Sequence, residues 1–160
     1  MGISIAVAAL VRDGRVLMAH RHPQRRAYPD SWALCGGHVE PGESPRQAVI
    51  RECGEEIGVQ IDQPRPIPMT VDDPTVQMHA FLVTQWTGEP YNAAPAEHDD
   101  LRWFSARELL SVKHAHPEAL PAILRGIEVA TTGTRPYSAA EQPHDGDGNG
   151  CSSLTGRHRT

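Results

Sequence analysis

Cysteine is scarce in this chain: among 160 residues only Cys35, Cys53 and Cys151 occur. An odd number without a CxxC pair excludes a disulfide framework and a zinc cluster, and reads as reduced thiols in a cytoplasmic protein. Positive charge is not in excess either. Lys and Arg number 15 against 20 Asp and Glu, for a formal net charge of −5, whereas proteins that grip duplex nucleic acid present a basic face. That balance leaves room for a small anionic ligand, since a bound cation inverts the local charge. Long apolar runs are missing. The N-terminal one, Ile3 to Val11, falls well short of the roughly 20 residues that cross a bilayer. No basic segment precedes it as in a signal peptide, and Ala6 stands where a myristoylation motif needs Ser or Thr. No membrane partner is expected, and no internal repeat is present.

What is there suffices for one globular domain: 39% of the residues are hydrophobic and 22% charged, with many Gly and Pro to make turns. The domain is expected over residues 1–130. From about Thr131 the chain turns to Gly, Ser, Thr, His and Asp, so residues 131–160 are expected to be a disordered polar tail, too poor in apolar groups to order itself. Within the tail Asp145, Asp147, Asn149 and Gly150 imitate the opening of an EF loop, but Gly156 stands where the closing Glu belongs, which argues against calcium.

Ile3 to Val11 fits a strand buried on both faces, and Asp13-Gly14 signals a tight hairpin to a second strand, Val16 to Ala19. The basic stretch His20 to Asp30 reads as a loop whose arginines and histidines offer themselves either to phosphate or simply to solvent. Ser31 to Leu34 is a short strand feeding a Gly36-Gly37 turn, where the missing side chains let a ligand or metal approach the main chain. The next helix is well marked. Ser44 caps it and forms a capping box with Gln47, Pro45 opens it, and Gly58 closes it. Val49, Cys53 and Ile57 form its apolar stripe, with Ile50 beside them. Gly54, mid-helix, suggests close packing against a neighbour. Later strands are expected around Met69 to Val71, from Gln77 to Trp86 and from Leu101 to Phe104, with helices from Ser105 to Leu110 and from Pro117 to about Ala130. Trp103 and Phe104 are read as core rather than as stacking partners for a base.

One stretch is electrostatically odd. Between Gly36 and Val59 stand Glu40, Glu43, Glu52, Glu55 and Glu56. The last three are spaced i, i+3, i+4, which brings them to one helical face. Like charges so placed repel unless a cation sits among them, and a hard divalent ion with oxygen ligands is the natural candidate.

Written as a pattern, the stretch is Gly37, five residues, Glu43, seven residues, then Arg51-Glu52-Cys53-Gly54-Glu55-Glu56-Ile57-Gly58-Val59. This resembles the signature of the Nudix hydrolases, G-x5-E-x7-R-E-U-x-E-E-x-G-U, where U is a bulky aliphatic. The one departure is Cys53 at the first U, a small hydrophobe able to fill a buried site. The two opening strands, Trp32, the Trp86 to Pro90 segment and Leu101 to Phe104 look like the matching parts of MutT-like members; Cys35 departs from the usual Pro before the paired glycines. The resemblance implies an α/β fold, an α/β/α sandwich on a mixed, partly curled sheet. It also implies hydrolysis of the pyrophosphate bond in a nucleoside diphosphate linked to another group, with Mg²⁺ as cofactor and Mn²⁺ able to substitute. Carried over residue by residue, it assigns Glu52, Glu55 and Glu56 to the metal, with the Gly36 carbonyl and Glu97 as further ligands and Asp99 as the rival to Glu97. Catalysis would rest on Glu52, as base, with Glu55, Arg51 and Glu43, Arg51 orienting the carboxylates.

Four functions fit this resemblance in descending order. A pyrophosphohydrolase of nucleoside triphosphates, including oxidised or non-standard ones, comes first. Cleavage of ADP-ribose or a nucleotide sugar ranks lower because the chain opens directly on a strand. A non-catalytic nucleotide sensor would have lost acidic residues from the signature, and isomerisation of an isopentenyl diphosphate, hinted at by Tyr28-Pro29, conflicts with an intact hydrolase signature. The expected partner is a small nucleotide; a homodimer is compatible with the sequence but not required by it.

Overall fold

The structure, a computed structural model, describes residues 2–133. Most of the polar tail, with Cys151 and the EF-like run, lies outside the described residues. Strand β1 (Ile3–Arg12) is the hub. It turns through Asp13 and Gly14, both at positive φ, into β2 (Arg15–Arg21), in register Val11 to Val16; positive φ at both turn residues matches the twist of a two-residue hairpin. Nearer its start, β1 pairs antiparallel with β4 (Cys35–His38) on one edge and parallel with β7 (Val76–Val83) on the other. Strand β2 carries β3 (Trp32–Ala33) and β9 (His98–Ser105), while β6 (Arg65–Ile67) closes the far side beside β7. The sheet is therefore mixed and splays where β1 leaves β2 for β4.

Alternation along β1 sends its side chains to two layers. Ala6, Ala8 and Leu10 join Val49, Cys53 and Ile57 of helix α1 (Pro45–Ile57) on one face. On the other face Ala9 and Val11 meet Leu109 of α2 (Ala106–Leu109) and Ile123 and Ile127 of α3 (Leu120–Thr132). This is the expected three-layer α/β/α arrangement. A separate ribbon pairs β5 (Gln60–Asp62) with β8 (Gln85–Thr87). Among the described residues no helix is long and apolar enough to cross a membrane.

Several local expectations need correction. Gly36 and Gly37 are not a turn but the middle of β4, opposite Val7 and Ala6. Glycine is needed there because a Cβ on residue 36 would overlap the Ala6 carbonyl. The strand expected at Met69 to Val71 lies earlier, at Arg65–Ile67, where Pro66 is tolerated because β6 has one partner strand among the described residues. The run Gln77 to Trp86 is broken at Thr84, and its last part leaves the main sheet for β5. Pro117–Ala119 is a 3₁₀ turn, and α3 follows it to Thr132. Phe104 is buried, as expected, and packs edge-on against Trp32, whereas Trp103 is half-buried and stacks on Trp86.

Helix α1 ends as its sequence demands. The Ser44 hydroxyl accepts from the Gln47 N–H at 3.1 Å, and the Ser44 N–H donates to Gln47 Oε1 at 2.9 Å. Gly58 takes up the left-handed conformation at φ 66°, and a Cβ there would strike the Tyr91 ring. Gly54, by contrast, is exposed, and a Cβ there would approach only the Val59 carbonyl, at 3.9 Å. The close packing expected of it is absent. Ser44→Ala is expected to cost about 1 kcal/mol through the lost cap, and Gly54→Ala to stabilise by about 1 kcal/mol through helix propensity. Urea melts of the two variants check both signs.

Candidate active site

Arg51 organises the polar face of α1. Its Nε donates to Glu43 Oε1 at 2.8 Å and its Nη2 to Glu43 Oε2 at 3.0 Å, the two-pronged geometry that suits guanidinium and carboxylate. Nη1 reaches Glu52 Oε1 at 3.0 Å and Glu55 Oε2 at 3.1 Å, and Nη2 also donates to the His38 carbonyl at 3.1 Å. Glu43 further accepts from the Glu40 N–H at 3.0 Å, so one arginine ties the loop before α1, strand β4 and the helix together. These hydrogen bonds, Arg51 first, hold the Glu43 carboxyl below its ordinary range, and the acids push Arg51 up.

The three helical carboxylates part company in space. The Glu55 side chain is 61% exposed and rests on Arg51, whereas that of Glu52 is 14% exposed. Glu52 lies under β4: a Cβ on Gly37 would stand 2.6 Å from Glu52 Oε1. Glu56 is only 7% exposed. Its Oε2 accepts from the Gly36 N–H at 3.1 Å, and its carboxyl meets that of Glu97, delivered by the loop before β9. Burial first, then the Glu97 carboxyl, push the Glu56 pKa well up; burial also raises Glu52, against the pull of Arg51. Asp99 is turned elsewhere and lies 2.6 Å from His20 Nδ1. Glu97, rather than Asp99, thus joins Glu52 and Glu56.

Among the described residues no three acidic, imidazole or thiol groups already enclose a point as an ion's ligands would. The donor set nevertheless fits a hard cation. Glu52, Glu56 and Glu97 are oxygen donors, two of them with burial opposing ionisation, and two carboxyls in contact need a proton or a cation between them. Gly36 lies on the strand beside them, its N–H already committed to Glu56.

A groove of about 450 Å³ begins at this cluster, with Glu52, Glu56, Glu97, Gly36 and Gly37 at one end. Ile3, Ile5, Val7, Val76 and Met78 floor it, and Met69, Asp73 and His116 lie among its lining residues. Arg21 and Arg25 also line it; burial, then Arg25, pull Arg21 below its usual value, so two guanidinium groups stand near one another. His98 lines the groove too. It is 3% exposed, neither ring nitrogen has a hydrogen-bond partner among the described residues, and burial depresses its pKa. Asp73, His98 and His116 were missed by sequence reasoning. None belongs to a motif, and only the fold of β1, β7 and β9 brings them to one groove.

The raised pKa of Glu56 has a stability consequence. A carboxyl that holds its proton more tightly folded than unfolded costs stability once pH rises above the ordinary value of 4.5. Glu56→Gln is therefore expected to raise the melting temperature of the metal-free protein at pH 8, as thermal melts in the presence of a chelator check.

Comparison with known proteins agrees with this geometry. The family model described as the NUDIX domain matches residues 2–125. The chain is 32% identical over 124 residues to the CTP pyrophosphohydrolase of Escherichia coli (strain K12), covering 76% of this chain and 88% of that protein. It is 37% identical over 70 residues to the nucleoside triphosphatase NudI of Escherichia coli O1:K1 / APEC, where the match spans 44% of this chain and only half of that protein. The crystal structure of the MutT NUDIX hydrolase from Burkholderia pseudomallei superposes with a TM-score of 0.69 at 29% identity, over 76% of this chain and 98% of that one. A signature intact from Gly37 to Val59, a sheet splayed above buried carboxylates and a family match over most of the domain have one meaning: the chain belongs to the NUDIX family and is a Nudix hydrolase.

Proposed function

We propose that this enzyme hydrolyses a nucleoside triphosphate, standard or oxidised, to the monophosphate and pyrophosphate with Mg²⁺ as cofactor. The observation that carries the reading is the contact between buried Glu56 and Glu97, with Glu52 beside them, at the mouth of a groove large enough for a nucleotide. Relatives whose names specify CTP pyrophosphohydrolase and nucleoside triphosphatase support the triphosphate.

Glu52, Glu56 and Glu97, with the Gly36 carbonyl, would hold the ion, and Glu55, which rests on Arg51 at 3.1 Å, would add a further carboxylate beside them. When bound, Mg²⁺ neutralises phosphate charge and lowers the pKa of water beside it. Glu52, half-buried beside the cluster and held by Arg51 at 3.0 Å, takes the proton from the attacking water. Arg51 keeps Glu52 aimed and Glu43 keeps Arg51 in place. Arg21 and Arg25 supply positive charge to the polyphosphate along the groove.

A product-resolved screen of nucleotides with Mg²⁺ tests the reading. Release of monophosphate and pyrophosphate is expected; release of orthophosphate, or turnover of ADP-ribose alone, overturns it. Glu52→Gln is expected to lower kcat by about 10²–10⁴ if this carboxylate is the base. Arg51→Lys, which loses the two-pronged grip, is expected to lower kcat with less change in KM.

A further inference from the structure

The groove runs well beyond the carboxylates. Ile3, Ile5 and Val7 alternate along one face of β1 and form its floor. Val7 lies opposite Gly36, and the Ile3 N–H donates to the Thr75 carbonyl at 2.7 Å. The four-residue step from Val7 to Ile3 spans about 13 Å at strand rise, the scale on which a nucleotide extends from its α-phosphate past the sugar to the base. Asp73 lines this far region, among apolar Met69, Val76, Met78 and Ile123.

Asp73 is held there with half of its carboxylate spare. Its Oδ1 accepts from the Thr75 N–H at 2.9 Å and from the Thr75 hydroxyl at 2.6 Å. Among the described residues Oδ2 accepts no hydrogen bond. The Thr75 donors favour the ionised form, so the group is an acceptor with nothing to donate. The wall beside it is braced. The Asp72 N–H donates to Glu118 Oε1 at 3.1 Å, and that same oxygen lies 3.5 Å from His116 Nδ1. The Tyr28 ring packs on the His116 ring, with centroids 4.5 Å apart. A flat apolar floor, an aromatic pair and one preorganised acceptor together make a slot for a base edge.

We propose that Asp73 selects the substrate by accepting a hydrogen bond from an exocyclic amino group of its base, so that cytosine and adenine nucleotides are preferred over uracil and hypoxanthine ones. This rests on the triphosphate reading above. A carboxylate suits the cytosine N4 amine, whereas uracil presents its O4 oxygen at the same place and sets acceptor against acceptor. A site that hydrogen-bonds a substrate amine rejects an isostere lacking it more strongly than an apolar pocket rejects a change of shape. The turn role of Asp73 uses Oδ1 alone, so Asp73→Asn keeps the Thr75 contacts while replacing the spare acceptor with a donor.

The test is kcat/KM for CTP and UTP, and for ATP and ITP, on the full chain and on Asp73→Asn. The parent is expected to favour CTP over UTP by about 10- to 100-fold, and Asp73→Asn to collapse that ratio by slowing CTP and quickening UTP. Equal turnover of CTP and UTP by the parent overturns the proposal. So does a variant that slows both alike, which would reduce Asp73 to a turn residue. Calorimetric binding of CMP against UMP probes the same edge without turnover. A CMP preference that Asp73→Asn abolishes, in a protein that hydrolyses no triphosphate, sinks the triphosphate reading and upholds the role of Asp73. Absence of that preference, with triphosphates still hydrolysed, does the reverse.

Discussion

Two carboxyls in contact, one of them buried, are the constraint around which this domain is arranged. Glu56 has been taken out of water and placed against Glu97, an arrangement that is unfavourable with both groups ionised. The surroundings hold it in place. Gly36 gives its N–H to Glu56, Gly37 leaves room for Glu52, and Arg51 anchors the flanking acids so that they do not crowd the same point. The apolar stripe of α1 on β1 sets the helix at the height this needs. Local repulsion is thus offset by global packing, and a cation would relieve it.

Much of that was legible in the chain because it was written in short-range signals. The caps of α1 depend on Ser44, Gln47 and Gly58, all within the helix or one residue beyond it, and the structure has them as expected. The apolar stripe follows from helical spacing alone. The Gly36-Gly37 pair was harder: glycine reads as a turn when only conformational freedom is weighed, whereas here it marks close approach of β4 to β1 and to Glu52. Likewise Gln85–Thr87 continues the hydrophobic alternation of β7, so nothing local announces that it leaves for β5.

The site divides along the same line. Arg51 with Glu43 and Glu52 share one motif and were readable from spacing, although spacing alone put Glu55 and Glu56 in one environment when they differ sharply in burial. Asp73, His98 and His116 belong to no motif. That they line one groove depends on the pairing of β1 with β7 and of β2 with β9, which joins segments that are distant in the chain. Sequence reasoning therefore reaches the reacting end of the groove before it reaches the end that meets the rest of the substrate.

The alternation of β1 has a consequence for how such a chain can change over generations. Its Ala6 and Ala8 serve the packing of α1, while Ile3, Ile5 and Val7 line the groove. Because the two sets share a backbone but not their neighbours, the distal lining can be rewritten while the folding core keeps its contacts. One scaffold can then acquire a new diet by drift at a few groove positions, with its hydrolytic machinery passed on intact.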